Sequence, residues 1–461
     1  MINNKLHLNQ YSLDNLKNKN TLCLIDGEHY PPVIKSALKE LESREIQIDS
    51  LFMLGGTEKI SGLNKILGED YHLILHANQN IINKFENTLQ ERKIEAVLDL
   101  SDEPVVDYRN RFRLASCSIK YSLPYFGGDF TFQPPERKPV LKKPSLSIIG
   151  TGKRIGKTAL GVTISRILQN KGIKPTIVCM GRGGPPEPEV VPADQMEIDT
   201  NTLFKVAEQG QHAASDYWED ALFSGTKTIG CHRCGGGMTG NPVYSNVIKG
   251  AQKANELEGD FVIMEGSGPT FPPVSTDKNI TLIGANQPLW KIFDYFGIYR
   301  IMVADLIIIT LSEPPMAEKK KLNQIEQKLS ELKPDTKKLF TVFRPAPRGN
   351  ISGKKVFVAT AASNNTQNLM VNYLQNNYDC QLQGYTNNLS DRQKLSRDLE
   401  NGLKNSDVLL TEIKAASIDM AAKKAKEMGV EVTFLHNEPK IIKGQQSELK
   451  KAILSIYNNI K

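Results

Sequence analysis

Short apolar runs alternate with amphipathic stretches along most of the chain. Residues 145–149 form one such run, followed by a loop of glycines and cationic side chains. Beyond the loop, Ala159, Leu160, Thr163, Ile164, Ile167 and Leu168 recur at helical spacing. The pattern over 145–169 therefore predicts strand, glycine turn, helix, with a strand apolar enough for the middle of a parallel sheet. Before it, 21–25, 51–54, 73–75 and 96–100 read as strands, and 31–41 has helical character. After it, 173–180, 260–264, 281–285, 306–310 and 339–343 read as strands, then 355–359, 407–411 and 430–434. Strands alternating with helices imply βαβ units. The expected fold class is α/β and multi-domain: a mostly parallel sheet of the P-loop NTPase type flanked by helices, with further α/β domains on both sides in sequence.

The stretch 131–144 carries Pro134, Pro135, Pro139 and Pro144, which suits a linker or an extended crossing segment. The expected division is a polar leader over 1–20, an N-terminal α/β domain over 21–130, the linker, a nucleotide-binding domain over 145–350 and a C-terminal α/β domain over 351–461. A length of 461 residues fits two or three domains at roughly 150 residues each.

The loop after 145–149 has the chemistry of a phosphate cradle. Glycines allow backbone N–H groups to turn inward, and the following helix adds its positive N-terminal end. Gly150, Thr151, Gly152, Lys153, Arg154, Gly156, Lys157 and Thr158 are the candidate nucleotide-binding residues. Lys157 suits the outer phosphates and Thr158 suits Mg²⁺. The match to G-x-x-x-x-G-K-[ST] is imperfect, because Thr151 stands where the pattern asks for glycine. The run 260–264 delivers Glu265, followed by Gly266-Ser-Gly268, at the end of a buried strand. A carboxylate there holds Mg²⁺ in P-loop enzymes. Its other reading is a cap on the next loop.

Arg182 lies among glycines after 173–180 and suits bidentate phosphate binding, or else is an exposed turn residue. His212 could bind phosphate or move a proton, and could equally be a structural hydrogen-bonding group. It precedes a helix expected to pack Trp218 inward. Cys231-His-Arg-Cys234 offers only two zinc ligands with no second pair at finger spacing. Phosphate contact by Arg233 and close backbone approach at Gly235–Gly237 are the preferred roles. Asp26, Glu28, His29, Asp99, Asp102 and Glu103 fall at the carboxyl ends of strands, where ligands of parallel sheets sit. They either face a substrate or metal, or cap helices and hold loops.

Composition narrows the rest. Lys and Arg number 58 against 51 Asp and Glu, an excess too mild to specify nucleic acid, and no interleaved basic and aromatic signature accompanies it. No apolar run reaches the length of a membrane span, and the polar N-terminus lacks a signal core. The six cysteines are scattered, which suits a reduced, cytoplasmic protein. The residues alone imply an ATP- or GTP-dependent enzyme of phosphoryl chemistry without naming the acceptor.

The spacing Gly-Thr then Gly-Lys-Thr resembles dethiobiotin synthetase, which has a similar Glu-Gly-x-Gly stretch. A fuller resemblance covers nearly the whole chain. Asp26-Gly-Glu-His-Tyr30, Ser101-Asp-Glu-Pro-Val-Val-Asp107, Gly150-Thr-Gly-Lys-Arg-Ile-Gly-Lys-Thr158, Met180-Gly-Arg-Gly-Gly184, Cys231-His-Arg-Cys-Gly-Gly-Gly237 and Glu265-Gly-Ser-Gly268 resemble, in the same order, cyclic 2,3-diphosphoglycerate synthetases. Glu412-Ile-Lys414-Ala-Ala also resembles a family stretch, and Lys414 there either reaches a site or is surface. The resemblance implies ATP-dependent closure of 2,3-diphosphoglycerate with release of ADP and phosphate. It implies Lys157, Lys153 and Glu265 in catalysis, Thr158 and Glu265 on Mg²⁺, and Arg154, Arg182, His212, Arg233, Asp26, Glu28 and His29 at the substrate. ATP and Mg²⁺ are the expected cofactors, and a homodimer without nucleic-acid or membrane partners is the expected assembly. The alternatives are another ATP-dependent ligase or kinase of the dethiobiotin synthetase type, or a P-loop ATPase switch. Such switches usually place a second lysine at the position of Gly152, whereas here Lys153 comes one residue later.

Overall fold

The computed structural model describes residues 13–56, 67, 70–75 and 80–460. The chain separates into two units, Met1–Pro135 with Leu289–Val303, and Glu136–Pro288 with Ala304–Lys461. Among the described residues no helix is long and apolar enough to cross a membrane.

The first unit contains β1 (Asn20–Ile25), α1 (Pro31–Ser43), β2 (Gln47–Met53), β3 (Leu73–Ile74), α2 (Ile81–Glu91), β4 (Ala96–Asp99), α3 (Tyr108–Lys120), β5 (Tyr125–Phe126) and β6 (Thr131–Phe132). The sheet order is β3-β2-β1-β4-β5-β6, parallel except for the β5–β6 pair. β1 and β4 are apolar without alternation because both their faces are covered. Of the polar leader, residues 1–12 lie outside the described residues. Leu13 and Leu16, however, are buried with Leu38 and Leu41, so the end of that stretch is packed into the core rather than loose. The segment Leu289–Val303 completes this unit. Tyr295 and Phe296 both meet the Phe112 ring edge-on at 5.1 Å between centroids, and Phe296 meets Phe132 at 4.8 Å.

The second unit contains β7 (Ser145–Gly150), α4 (Lys157–Gln169), β8 (Pro175–Gly181), β9 (Glu189–Pro192), α5 (Thr200–Glu208), α6 (Asp216–Ser224), β10 (Lys227–Cys234), β11 (Tyr244–Ser245), α7 (Val247–Glu256), β12 (Phe261–Glu265), β13 (Lys278–Gly284), β14 (Leu306–Thr310), α8 (Lys319–Leu332), β15 (Lys337–Pro347), β16 (Lys355–Ala359), α9 (Gln367–Tyr378), β17 (Gln381–Thr386), α10 (Arg392–Gly402), β18 (Val408–Thr411), α11 (Lys423–Glu427), β19 (Glu431–Ile441) and α12 (Ser447–Asn458). They share one sheet of order β11-β10-β8-β12-β7-β13-β14-β15-β19-β18-β16-β17, with β9 also paired to β10. α4 lays Leu160, Ile164 and Leu168 over Ile148 and Ile263 in the largest core, which also takes Ile453 and Ile456 of α12. Trp218 is buried in a second core with Val162 and Tyr217.

The sheet changes direction once in its interior. β15 pairs in parallel with β14 over its first half and antiparallel with β19 from Thr341↔Ile441 to Pro347↔Leu435. β19 pairs in parallel with β18 over its own first half, Glu431 to Phe434. Each long strand therefore leaves its parallel set past the carboxyl edge before it meets the other. The two carboxyl edges face each other, separated along the ladder by roughly 20 Å at strand rise.

His436 sits on β19 with 2% exposure, its ring 4.8 Å from that of Phe223, and among the described residues neither ring nitrogen has a hydrogen-bond partner. Burial, then the positive charges of Arg166 and Lys414, push its pKa down to about 3 from the ordinary 6.5. The folded state therefore excludes a proton that the unfolded chain accepts. Stability is expected to fall as pH drops below 6.5, with a limiting slope of about 1.4 kcal/mol per pH unit that persists until the folded pKa is reached. Denaturant melts between about pH 7 and about pH 5 should give a shallower slope for His436→Phe than for the wild type. Equal slopes would clear His436 of this role.

Candidate active site

The loop between β7 and α4 is pinned from neighbouring strands. The Thr151 N–H donates to the Leu282 carbonyl at 3.0 Å, and its hydroxyl donates to Gln287 Oε1. The Thr310 hydroxyl donates to the Ile155 carbonyl at 2.9 Å. Thr151 is not among the residues with positive φ, so this position has no need of glycine and uses its side chain as an anchor instead. Gly156 caps α4 with φ 90°, and a Cβ there would lie 1.9 Å from the Phe343 ring. Only glycine meets both conditions. Arg154 takes a left-handed φ of 58°, and Lys153 and Arg154 are both exposed.

Lys157, the first residue of α4, is buried and donates from Nζ to the Gly152 carbonyl at 3.0 Å. Burial pushes its pKa down to about 8, against the pull of Glu265 and Asp216. Thr158 follows it, half-buried. Glu265 ends β12 between β7 and β8, in register with Ile148 and Cys179. Its Oε2 accepts the Cys179 thiol at 3.3 Å, while Oε1 is buried and without a hydrogen-bond partner among the described residues. Asp220 of α6 is wholly buried, and among the described residues neither of its oxygens has a hydrogen-bond partner. Ligating atoms of Cys179, Asp220 and Glu265 lie within 4.8 Å of one another. Burial raises both carboxyls, helped at Asp220 by the charge of Glu265 and at Glu265 by that of Asp216. Oxygen donors suit a hard cation such as Mg²⁺. Glu265 Oε1, with no hydrogen-bond partner among the described residues, is such a donor, and Thr158 carries a hydroxyl on the first turn of α4.

β8 and β10 carry the arginines to this edge. A Cβ on Gly268 would lie 3.7 Å from Arg182 Nη2 and 3.6 Å from Arg233 Nη2, so the two guanidinium groups converge beside the turn after Glu265. Arg233 is held by the carbonyls of Gly235 at 2.7 Å and Ser267 at 3.0 Å. Burial and then the Arg182 charge lower its pKa. Like charges in contact favour an anion between them. His212 is exposed beside the loop that follows β8 and carries Arg182, its ring 3.0 Å from a Cβ built on Gly183. Cys231 is buried in β10 and Cys234 is exposed.

Asp26, Glu28 and His29 belong to the first unit and form a cluster of their own. Asp26 Oδ1 accepts the N–H groups of Glu28 at 2.9 Å and His29 at 3.2 Å and contacts His29 Nδ1 at 2.8 Å; Oδ2 accepts the Asp102 N–H at 2.6 Å. Asp99 accepts Arg111 Nε at 2.9 Å and the Tyr125 hydroxyl at 2.7 Å. Both aspartates thus tie their loops to the sheet. The sequence did not single out Asp216, Glu219 and Asp220 as site residues, although all three crowd the Glu265 end of β12. Their i, i+3, i+4 spacing puts them on one helix face, and that is the signal available.

The same sequence was compared with known proteins. Residues 145–342, 20–133 and 347–438 match, respectively, the P-loop, N-terminal and C-terminal domains described for cyclic 2,3-diphosphoglycerate synthetase. The cyclic 2,3-diphosphoglycerate synthetase of Methanothermobacter thermautotrophicus is 44% identical over 441 residues, 94% of this chain and 95% of that protein. That of Methanothermus fervidus is 44% identical over 444 residues, 95% and 96% of the two chains. Among solved structures, LpxK from Aquifex aeolicus in complex with ATP is 14% identical, covers 70% of this chain and 90% of its own, and has a TM-score of 0.42, too low to carry any argument. At 44% identity over nearly the full length of both proteins, the chain belongs to the cyclic 2,3-diphosphoglycerate synthetase family.

Proposed function

We propose that this chain catalyses the ATP-dependent closure of 2,3-diphosphoglycerate to its cyclic form, releasing ADP and phosphate. The observation that carries the reading is the pair of guanidinium groups, Arg182 and Arg233, converging beside the Lys157 and Glu265 end of the cradle. A nucleotide cradle alone suits many reactions, but a bidentate cationic pocket beside it suits a second, phosphorylated substrate. Full-length likeness to synthetases of this name supports the same reaction.

The loop 150–158 would hold the nucleotide phosphates through its N–H groups, with Lys153 and Lys157 meeting charge that develops on the γ-phosphate. Arg154, Arg182 and Arg233 would hold the substrate phosphates, with His212 beside them. One substrate phosphate takes the γ-phosphoryl group from ATP, and ADP leaves. The neighbouring phosphate then attacks the inner phosphorus of the new anhydride, and inorganic phosphate departs. The second step is intramolecular, so residues that keep the substrate folded supply most of its advantage. Mg²⁺, when held by Thr158 and Glu265, would neutralise charge on the phosphate oxygens. Glu28 and His29, half-buried in the first unit's cluster, are its residues proposed for substrate contact. A cytoplasmic homodimer fits this reading, and six free cysteines accord with a reducing compartment.

Purified protein with ATP, Mg²⁺ and 2,3-diphosphoglycerate should release ADP only when the acid is present, and phosphorus NMR should report a cyclic pyrophosphate. ADP release indifferent to the acid, with no new resonance, would instead support the ATPase-switch or other-ligase alternative. Lys157→Ala should cut turnover by roughly a hundredfold or more, the scale seen when one transition-state donor is removed. Turnover close to that of the wild type would take Lys157 out of the mechanism.

A further inference from the structure

The parallel set β17-β16-β18-β19 reverses order between β16 and β18: from β16 the chain goes to one side for β17, then returns to the other for β18. The carboxyl ends of two such strands open the crevice in which α/β sheets take ligands. Thr360 and Ala361 follow β16 there, and Glu412 and Lys414 follow β18. Because β15 and β19 cross antiparallel beyond both carboxyl edges, this crevice faces the edge that bears the cradle.

Glu412 is buried, and its oxygens are already satisfied. They accept the Thr360 hydroxyl and the Ala361 N–H at 2.8 Å each, and Asn437 Nδ2 at 2.9 Å. Lys414 Nζ lies 3.7 Å from Glu412 Oε1 and 3.6 Å from Glu219 Oε1. Both are ion pairs just beyond ordinary hydrogen-bond length, which leaves part of the ammonium's donor capacity for a further partner. The side chain stays 38% exposed. The backbone that presents it is constrained: Ala415 takes a left-handed φ of 51°, and the Lys414 N–H donates to the Ser417 hydroxyl at 3.0 Å. A non-glycine residue held in that conformation is disfavoured unless the surroundings impose it.

α6 links this ammonium to the cradle. Glu219 meets Lys414, while the next residue, Asp220, turns to Glu265 and Cys179. Asp216 opens the same helix and is exposed, and its charge acts on both Lys157 and Lys414. Two ammonium groups therefore flank one helix end, one buried in the cradle and one reaching the open side.

We propose that Lys414 is a binding residue for the acid substrate, its ammonium taking a phosphate or carboxylate group across α6 from the nucleotide cradle. The inference rests on the function proposed above. Glu219 and Glu412 aim the side chain, and the substrate, rather than either carboxylate, takes its hydrogen bonds.

The test uses the full chain, with steady-state ADP release measured against 2,3-diphosphoglycerate and against ATP in turn. Lys414→Ala should raise KM for the acid roughly tenfold to a hundredfold, the range for one charge-assisted hydrogen bond, and leave KM for ATP within about twofold. Lys414→Arg, which keeps the charge, should recover most of the loss. If Lys414→Ala fails to fold, Lys414→Gln keeps most of the side chain and is held to the same outcomes. An unchanged KM for the acid would overturn the proposal and leave Lys414 a counter-ion for Glu219. A KM for ATP that rises as much as that for the acid would also overturn it. Wild-type protein that forms no cyclic product refutes the parent function, whereas wild-type turnover with an unaltered variant refutes only the role of Lys414.

Discussion

The residue pairs from Thr341↔Ile441 to Pro347↔Leu435 hold the second unit in its working shape. A parallel sheet binds ligands at its carboxyl edge, so two parallel sets side by side would normally offer two separate edges. Here each set extends one strand past its edge, and the two extensions pair in opposite directions. Backbone hydrogen bonds, which are obligatory for buried strands, thereby fix the distance between the edges. A lysine from the loop after β18 and a glutamate from the end of β12 both reach the acidic face of the same short helix, α6, at Glu219 and Asp220.

That helix works against the ordinary cost of burying charge. Glu219, Asp220 and Glu265 are each almost inaccessible, and burial pushes all three carboxyls up. Isolated, such groups would neutralise. Lys157 and Lys414 offset the cost from two sides: Lys157 pulls Glu265 down and Lys414 pulls Glu219 down. Buried ion pairs add little net stability, but losing one partner strands the other charge. The arrangement holds two ammonium groups in fixed positions more than it reinforces the fold.

Much of this architecture was legible from pattern alone. Buried parallel strands are continuous apolar runs, and the residue after each run falls at the ligand edge by the geometry of the sheet. That logic puts Arg182 and Glu265 at one edge without any knowledge of their contacts, whereas β10, which carries Arg233, does not read as a strand. Thr151 looked like a defect in the cradle because a pattern does not carry φ, and the loop bends at Arg154 and Gly156 instead. The acidic face of α6 escaped notice because Asp216 and Glu219 look like ordinary first-turn residues favoured by the helix dipole. The burial of Leu13 and Leu16 was hidden by the polar residues around them. Nothing local encodes the return of Leu289–Val303 to the first unit, since its partners lie far back in the sequence.

That return has a genetic consequence. The first unit is not a contiguous cassette, because Tyr295 and Phe296, which complete the ring cluster of Phe112 and Phe132, arrive only after the chain has built β7 to β13. A gene fragment ending at Pro135 would encode a surface that has lost Tyr295 and Phe296, together with the Asp294 carboxylate 3.6 Å from Arg109. Such a fragment keeps all six strands of the N-terminal sheet and loses the aromatic segment that packs on Phe112 and Phe132.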